Sequence, residues 1–448
     1  MTSTNNIMQN LLNTGTVLII LDPTDPIKSC LLDANTLCKT SDVLGKLYED
    51  AKVRSAGCVS QQELSAMLIL PSASASIPEL VAQALDATFE SVLPLQPEAH
   101  PPTDTGRTRS TRSAIAKIKA ESEEGDSPSA ASDEPEIPKT DWPKAYESFF
   151  RIIAGKKHGI SKHDLSTALP QVQGVVQIAQ NYNAIGAVAS TFTSLLLGYV
   201  EHHTLYSTIG KWPAHCLNLG IALKSRLVYD EAFKHLVGDG ANFKDGKPSP
   251  GLPDNVQAIV QRRSQELYSL RRDVEEKIIF LTIPGNNPPE YPSQYVSQHD
   301  DPTSYNTVGI FRDWIMWHIG HLRNETHAKP EAFYLCDHAD GCTHVAGFYR
   351  TVADDGYLDA DEVYDNFNSH YKSSRKDRQE EELENVRQTL ETLKDEAHAL
   401  VKKLSESTLH LADKSGLRYL TCVEVEADDV LWGSDEDSDD DGSGSDED

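Results

Sequence analysis

A long stretch without charged side chains constrains this chain more than any other feature of its sequence. Residues 165–200 contain no Asp, Glu, Lys or Arg, so they belong either in a membrane or inside a water-soluble fold. Their apolar residues recur every three or four positions, from Ile178 and Tyr182 to Leu196 and Tyr199. The stretch also contains amide side chains that are costly in lipid: Gln171, Gln173, Gln177, Gln180, Asn181 and Asn183. It therefore predicts one or two helices in a soluble core, and no membrane span.

The remaining patterns predict an α+β protein that is mostly helical. Short runs rich in apolar and β-branched residues predict strands at 16–21, 27–32, 67–70 and 419–425. Helical periodicity predicts helices at 35–48, 78–93, 144–154, 217–237, 254–283, 309–322 and 377–404. The length of 448 residues is typical of two or three compact units.

Composition shifts divide the chain into five parts. Residues 96–141 are rich in Pro, Ser and acids and poor in large apolar residues, so we expect a disordered linker. The linker separates two parts of an N-terminal half, 12–95 and 142–237. A C-terminal helical region with a terminal strand follows at 238–432, and an acidic disordered tail at 433–448.

Charge and cysteine content limit the function classes. The net charge is −28, which argues against direct binding of nucleic acid phosphates. The seven cysteines are odd in number and scattered, which is typical of reduced thiols. The first residues, MTSTNNIMQNLLNTGT, lack the basic and apolar segments of a signal peptide. We therefore expect an intracellular protein of the cytoplasm or nucleus.

One short segment concentrates metal-ligating side chains. Cys336, His338, Cys342 and His344 lie within nine residues, and His318 and His321 on a predicted helix would add ligands from outside. Zinc takes four such ligands, but structural sites usually join two separated ligand pairs. The spacing favours a surface loop without metal, and a zinc site stays open as the alternative.

No other motif indicates catalysis or a cofactor. Residues 351–362 echo a calcium-binding loop, with Gly356 and Glu362 in place, but Thr351 and Ala353 stand where carboxylates are needed. Gly246-Lys247 lacks the glycine and hydroxyl residue of a nucleotide-binding loop. We therefore expect no enzyme activity, no catalytic residues and no cofactor.

The predicted helix at 377–404 carries a heptad pattern. Its members alternate in steps of three and four: Leu383, Val386, Leu390, Leu393, Ala397, Leu400 and Leu404. Such a seam is typical of a coiled coil or of a helix that packs within its own chain. We favour intrachain packing, with 254–283 as a candidate partner.

Three groups of segments together resemble a known family. The opening TVLIILDPTDPIKSCLLDANTLCKTSDVLGKLYED with the later WPKAYESFFRIIAGK resembles the BTB/POZ fold, which begins strand, strand, helix. CLNLGIALKSRLVYDEAFKHLVG with VQRRSQELYSLRRDVEEKIIFLTI, and FYRTVADDGYLDADEVYDNFN with YLTCVEVEADDVLW, are similar to fungal BTB-domain-containing proteins. The resemblance implies that 12–95 and 142–237 form one split BTB/POZ-like domain. It also implies homodimerisation, or binding to cullin-type ligase scaffolds or transcriptional co-factors.

These observations predict a non-enzymatic protein–protein interaction scaffold or adaptor. An alternative is an acidic-tailed chaperone or chromatin-associated factor that binds basic proteins, because Ser434–Asp448 holds nine acids and no base. Four tail serines, Ser434, Ser438, Ser443 and Ser445, have an acid three residues later, which is the pattern that acid-directed kinases recognise. A protein with a zinc site at 336–344 is a second alternative.

Overall fold

The chain forms two compact units, Met1–Thr204 and Leu205–Asp448. The computed structural model describes residues 16–21, 29–55, 64–70, 79–83, 139–242, 251–284, 295–299, 301–323, 344–370, 376–411 and 416–432. Within these ranges there are thirteen α-helices and four β-strands, so the predicted mostly helical character is confirmed.

Unit 1 contains a four-stranded sheet in the order β2–β1–β3–β4. The strands are β1 (Thr16–Ile20), β2 (Ser29–Asp33), β3 (Leu64–Ile69) and β4 (Val81–Gln83). β1 runs antiparallel to β2 and parallel to β3, so that Leu18 stands opposite Leu31 on one side and Met67 on the other. Parallel neighbours need a crossover, and helices α1 (Ala34–Thr40) and α2 (Asp42–Ser55) provide it.

The crossover begins at a helix cap. The side chain of Asp33, the last residue of β2, accepts hydrogen bonds from the amide of Thr36 at 2.9 Å and from its hydroxyl at 3.0 Å. An aspartate at this position satisfies an amide that has no partner inside the helix. The chain therefore passes directly from strand β2 to helix α1. The helix predicted at 35–48 is present as two helices, α1 and α2.

The predicted helix at 78–93 is wrong in its described part. Val81–Gln83 form strand β4, antiparallel to β3, with Val81 opposite Ile69 and Gln83 opposite Met67. The amide of Leu80 is bound to the hydroxyl of Tyr182 at 2.9 Å. Pairing with a sheet edge, which is not visible in local periodicity, decided the conformation here.

The uncharged stretch forms two helices of the unit 1 core. α3 (Trp142–Ile153), α4 (Leu165–Asn181) and α5 (Ile185–Glu201) complete the described part of unit 1. Val175, Ile178 and Phe192 are buried, as the three-four spacing predicts. None of the helices in the described ranges is long and apolar enough to cross a membrane.

Tyr182 joins the sheet part of unit 1 to its helical part. Its hydroxyl lies 3.2 Å from that of Tyr146 on α3 and accepts from the Leu80 amide beside β4. Its carbonyl accepts from the hydroxyl of Ser41, between α1 and α2. Burial raises the pKa of Tyr182, so this hydroxyl stays protonated at neutral pH. Segments on either side of residues 84–138 therefore share one core.

Unit 2 is built from eight helices in its described part. They are α6 (Thr204–Lys211), α7 (Pro213–Leu223), α8 (Arg226–Gly240), α9 (Asp254–Ile279), α10 (Pro302–Leu322), α11 (Val345–Ala353), α12 (Ala360–His370) and α13 (Lys376–Ser405). The division after Thr204 falls inside the predicted segment 142–237, and α8 packs on α7 and α9 within unit 2.

The heptad seam of α13 packs within unit 2. Its middle residues, among them Val386, Leu390 and Leu393, are buried, and α13 contacts α11, α10, α12 and α9. Leu383 and Leu400 at the margins are only half-buried. α11 and α10 contact the seam more extensively than α9, the partner that the sequence suggested.

The predicted strand at 419–425 is wrong. These residues belong to no sheet among the described ranges. Their neighbours are helices α8 and α9, which offer no strand edge, and the segment contributes one backbone bond, from the amide of Thr408 to the carbonyl of Thr421 at 2.9 Å. The β-branched residues of this segment pack against helices and do not pair with another strand.

Candidate functional site

Most of the predicted zinc ligands lie outside the described residues. Cys336, His338 and Cys342 belong to the range 324–343, of which the structure describes nothing. His344 is described, and its side chain caps α11: Nδ1 accepts from the amide of Gly347 at 3.0 Å. Burial, with Arg350 and Arg418 nearby, lowers the pKa of His344. Its cap role leaves Nε2 as the nitrogen that a metal would use.

Both ends of the range 324–343 are bound to one buried carboxylate. Glu275 on α9 is 2% exposed and forms an ion pair with Arg323, the last described residue before this range. Its other oxygen accepts from the hydroxyl of Tyr349 on α11 at 3.0 Å and pairs with Arg271 at 3.1 Å. A buried charge of this kind requires such complete pairing. Glu275 on α9 therefore joins Arg323, at the end of α10, to Tyr349 on α11.

The two helix histidines that could complete a zinc site have packing roles. His318 is buried, its ring centroid lies 4.3 Å from that of Trp314, and burial lowers its pKa to about 4. His321 is exposed and stacks on Trp317 at 5.4 Å with an angle of 5°. Among the described residues, no three His, Cys, Asp or Glu side chains converge as a metal group. The zinc alternative therefore depends on residues that the structure does not describe.

Residues 351–362, which resemble a calcium-binding loop, span the boundary between helices α11 and α12. Thr351 and Ala353 lie in the last turn of α11, and Asp359 caps α12. The Asp359 carboxylate accepts from the amides of Asp361 at 2.9 Å and Glu362 at 3.2 Å. A carboxylate committed to a helix N-terminus in this way stabilises the fold.

Sequence patterns missed a feature that we call the C-terminal clasp, residues 406–411 and 416–432. One face of α8 holds it through four residues: Glu231, Lys234, His235 and Gly238. The Glu231 carboxylate accepts from the amides of His410 at 3.0 Å and Leu411 at 3.1 Å. Lys234 Nζ donates to the carbonyl of Thr408 at 2.9 Å.

The same face of α8 continues beneath Tyr419 and Leu420. His235 Nδ1 lies 2.7 Å from the hydroxyl of Tyr419, and burial lowers the pKa of His235 to about 4. At Gly238, a Cβ atom would lie 2.0 Å from the carbonyl oxygen of Leu420. The clasp therefore lies directly on the helix backbone at this point.

A buried carboxylate anchors the end of the C-terminal clasp. Asp429 is 0% exposed, with Arg262 at 2.9 Å and Arg263 at 3.2 Å from its two oxygens. The hydroxyl of Tyr229 donates to the Asp429 carbonyl at 2.5 Å, and its ring meets Trp432 edge to face. The acidic tail thus begins directly after a fixed anchor. A signal was present, because the basic pair Arg262-Arg263 on α9 and the acidic-aromatic end are complementary, but their pairing is not local.

Three of the described thiols are poorly suited to nucleophilic or metal-binding chemistry. Burial raises the pKa of Cys422 to about 11, and it also raises that of Cys30 and Cys38. A thiol is nucleophilic and ligates metals as the thiolate, which a raised pKa suppresses. These groups therefore act as small apolar or surface side chains.

Comparison with known proteins adds no relative. No family model, curated protein or solved structure matches this chain. Its function must therefore be argued from its own residues.

Proposed function

We propose that this chain is a non-enzymatic protein–protein interaction scaffold or adaptor of BTB/POZ type. The order of elements in unit 1 carries the proposal. The BTB/POZ fold begins strand, strand, helix, and the described part of unit 1 begins with β1, β2 and α1. The sheet part and the helices α3–α5 share a core through Tyr182, which supports one domain interrupted by an inserted linker.

The arrangement of ionisable groups supports an adaptor and not an enzyme. The buried carboxylates Glu275 and Asp429 are paired with arginines, and Glu231 binds backbone amides. Burial lowers the pKa of both His235 and His318 to about 4, so these imidazoles stay neutral at physiological pH. A general acid or base works best with a pKa near the operating pH, and these groups are far from it.

The test is the oligomeric state of the full-length chain. BTB-type pairing through an apolar face predicts a homodimer by light scattering at tens of micromolar protein. Among the apolar side chains that unit 1 exposes are Leu31 at 50%, Val53 at 72% and Leu197 at 57%, and Met316 of unit 2, at 52%, serves as the control. If unit 1 pairs, a glutamate at one of the first three positions weakens the dimer, and Met316→Glu does not.

A monomer at this concentration would contradict the homodimer. Unit 1 would then serve as a scaffold within one chain, and the adaptor proposal would depend on a heterologous partner. Affinity purification from native cells, with Val53→Glu and Leu197→Glu beside the unchanged chain, tests that remaining form. If all variants recover the same proteins as the unchanged chain, the surfaces around Val53 and Leu197 do not bind the partner.

The acidic tail favours a second candidate, a chaperone or chromatin-associated factor that binds basic proteins. Nine acids follow a segment that is anchored at Asp429 and Trp432. Deletion of residues 434–448 removes nine of the negative charges and separates the candidates. Loss of core-histone binding on deletion supports the second candidate, and retained binding contradicts it.

A further inference from the structure

Two histidines of unit 1 that are far apart in sequence bring one ring nitrogen each within hydrogen-bonding distance of the other. His163 lies just before α4, and His202 is the residue that ends α5. Nδ1 of His163 and Nε2 of His202 are 3.0 Å apart, and the ring centroids are 4.7 Å apart. Both side chains are exposed, so an ion from solvent can reach the nitrogens.

The backbone that carries His163 is held against α5. The hydroxyl of Tyr199 donates to the carbonyl of Ser161 at 2.5 Å, and that of Thr204 donates to the carbonyl of His163 at 3.4 Å. At Gly198, a Cβ atom would lie 3.6 Å from the carbonyl oxygen of Lys162, so the two segments run close together. Ligands fixed by such surrounding contacts lose little entropy when a metal binds.

The spacing of the nitrogens fits two ligands of one metal ion. Imidazole nitrogens bind late transition metals at about 2.0–2.1 Å. Two ligands at that distance, separated by an angle between the octahedral and tetrahedral values, are roughly 2.9–3.4 Å apart. A shared proton in an N–H···N hydrogen bond would give a similar distance, and experiment can distinguish the two.

We infer that His163 and His202 form a binding site for a divalent late transition metal, such as Ni²⁺, Cu²⁺ or Zn²⁺. Imidazole ligands select these ions over Mg²⁺ and Ca²⁺, which prefer oxygen. No third His, Cys, Asp or Glu joins the pair within the described ranges, so water completes the coordination. The open positions distinguish the pair from the four candidate ligands of the alternative zinc site at 336–344.

Nearby charges act in both directions. His202 caps the C-terminus of α5, whose last turn has no basic residue, and the negative end of a helix dipole favours a cation. Glu201 adds a negative charge, and Lys162 adds a positive one. Asp164 is committed to capping α4, because it accepts from the amide of Ser166 at 2.9 Å. Protons compete for the same nitrogens, so affinity falls as pH is lowered.

The test is titration of untagged full-length protein with Ni²⁺ at pH 7.5, followed by calorimetry. We expect the double variant His163→Gln, His202→Gln to lose one binding event that the unchanged chain shows. Each single variant should weaken that event at least about tenfold. Because both rings are exposed, the variants should keep the circular dichroism spectrum of the unchanged chain.

A matched control is His215→Gln, which removes another exposed histidine and should leave the titration unchanged. Electron paramagnetic resonance of bound Cu²⁺ should show two imidazole nitrogens, and the double variant should lose this signal. Identical isotherms for the unchanged chain and the double variant would overturn the site. The 3.0 Å contact would then be a shared-proton hydrogen bond.

Discussion

Single positions on α8 show how closely residue identity is tied to the C-terminal clasp. Four residues of one helix face, Glu231, Lys234, His235 and Gly238, each contact the clasp in a different way. A carboxylate binds amides, an ammonium binds a carbonyl, a neutral imidazole meets a phenol, and a glycine permits direct contact. Substitutions here should therefore act through tertiary contact and not through helix propensity.

Gly238→Ala should destabilise unit 2 by about 1–3 kcal/mol, because the new methyl group would overlap the Leu420 carbonyl and force the clasp away. Helix propensity alone would predict a gain of up to about 1 kcal/mol. The control is Gly309→Ala in α10, where a Cβ atom meets nothing within 4 Å. Urea unfolding checks both, and equal effects at the two glycines would contradict the close contact.

His235 should make unit 2 less stable in acid. Its pKa is about 4 in the fold and about 6.5 when unfolded, so the unfolded chain binds the proton more readily. The stability from its neutral form is therefore present above about pH 6.5 and is lost as pH falls toward 4. Between pH 7.5 and 5 this loss is about 2 kcal/mol.

Unfolding experiments at the two pH values, with His235→Gln and the exposed control His215→Gln, check this prediction. The first variant should lose less stability on acidification than the unchanged chain, and the second should lose as much. An unchanged pH dependence in His235→Gln would assign the acid sensitivity to other groups, such as His318.

At the scale of elements, α13 organises the second half of unit 2. Its seam packs on α10 and α11, which flank the range that contains the predicted zinc ligands. The hydroxyl of Thr389 on α13 also donates to that of Ser304 on α10, at 3.0 Å. Helix α13 therefore contacts both α10, which precedes the cysteine–histidine segment, and α11, which follows it.

Leu393→Ala should cost about 2–5 kcal/mol of unfolding free energy, because Leu393 is 0% exposed. Leu400→Ala should cost less, since Leu400 is half-buried at the edge of the same seam. The pair is matched in chemistry and differs in burial. Denaturant unfolding with equal losses would mean that Leu400 is covered by another molecule, as in an intermolecular coiled coil.

At the scale of the whole molecule, charge is distributed unevenly. The chain carries −28, and its last fifteen residues hold nine acids and no base. Phosphorylation of Ser434, Ser438, Ser443 and Ser445 would add roughly −6 to −8 charges. Such a change should strengthen contact with a basic partner and increase its dependence on salt.

Mass spectrometry of protein from growing cells should therefore detect phosphate on at least one of these serines. Core-histone binding by the phosphorylated chain should exceed that of a variant with all four serines changed to Ala. Absence of phosphate at all four positions would mean that the tail attracts a basic partner only through the charge of its acidic residues.

The sequence by itself determined what depends on local order and composition. The spacing of apolar residues predicted α4, α5 and α13, since a helix exposes every third or fourth residue on one face. β1, β2 and β3 were predictable from short apolar runs beside turn residues.

Tertiary structure alone decided the features that join distant residues. Val81–Gln83 became a strand because β3 offered an edge, and residues 419–425 did not because α8 and α9 offer none. The pairing of Asp429 with Arg262, and of His163 with His202, spans 167 and 39 residues. The periodicity of apolar residues shows which face of a helix or strand a residue occupies. The partner of a buried charge, or of a histidine ring nitrogen, depends on which other element lies opposite it.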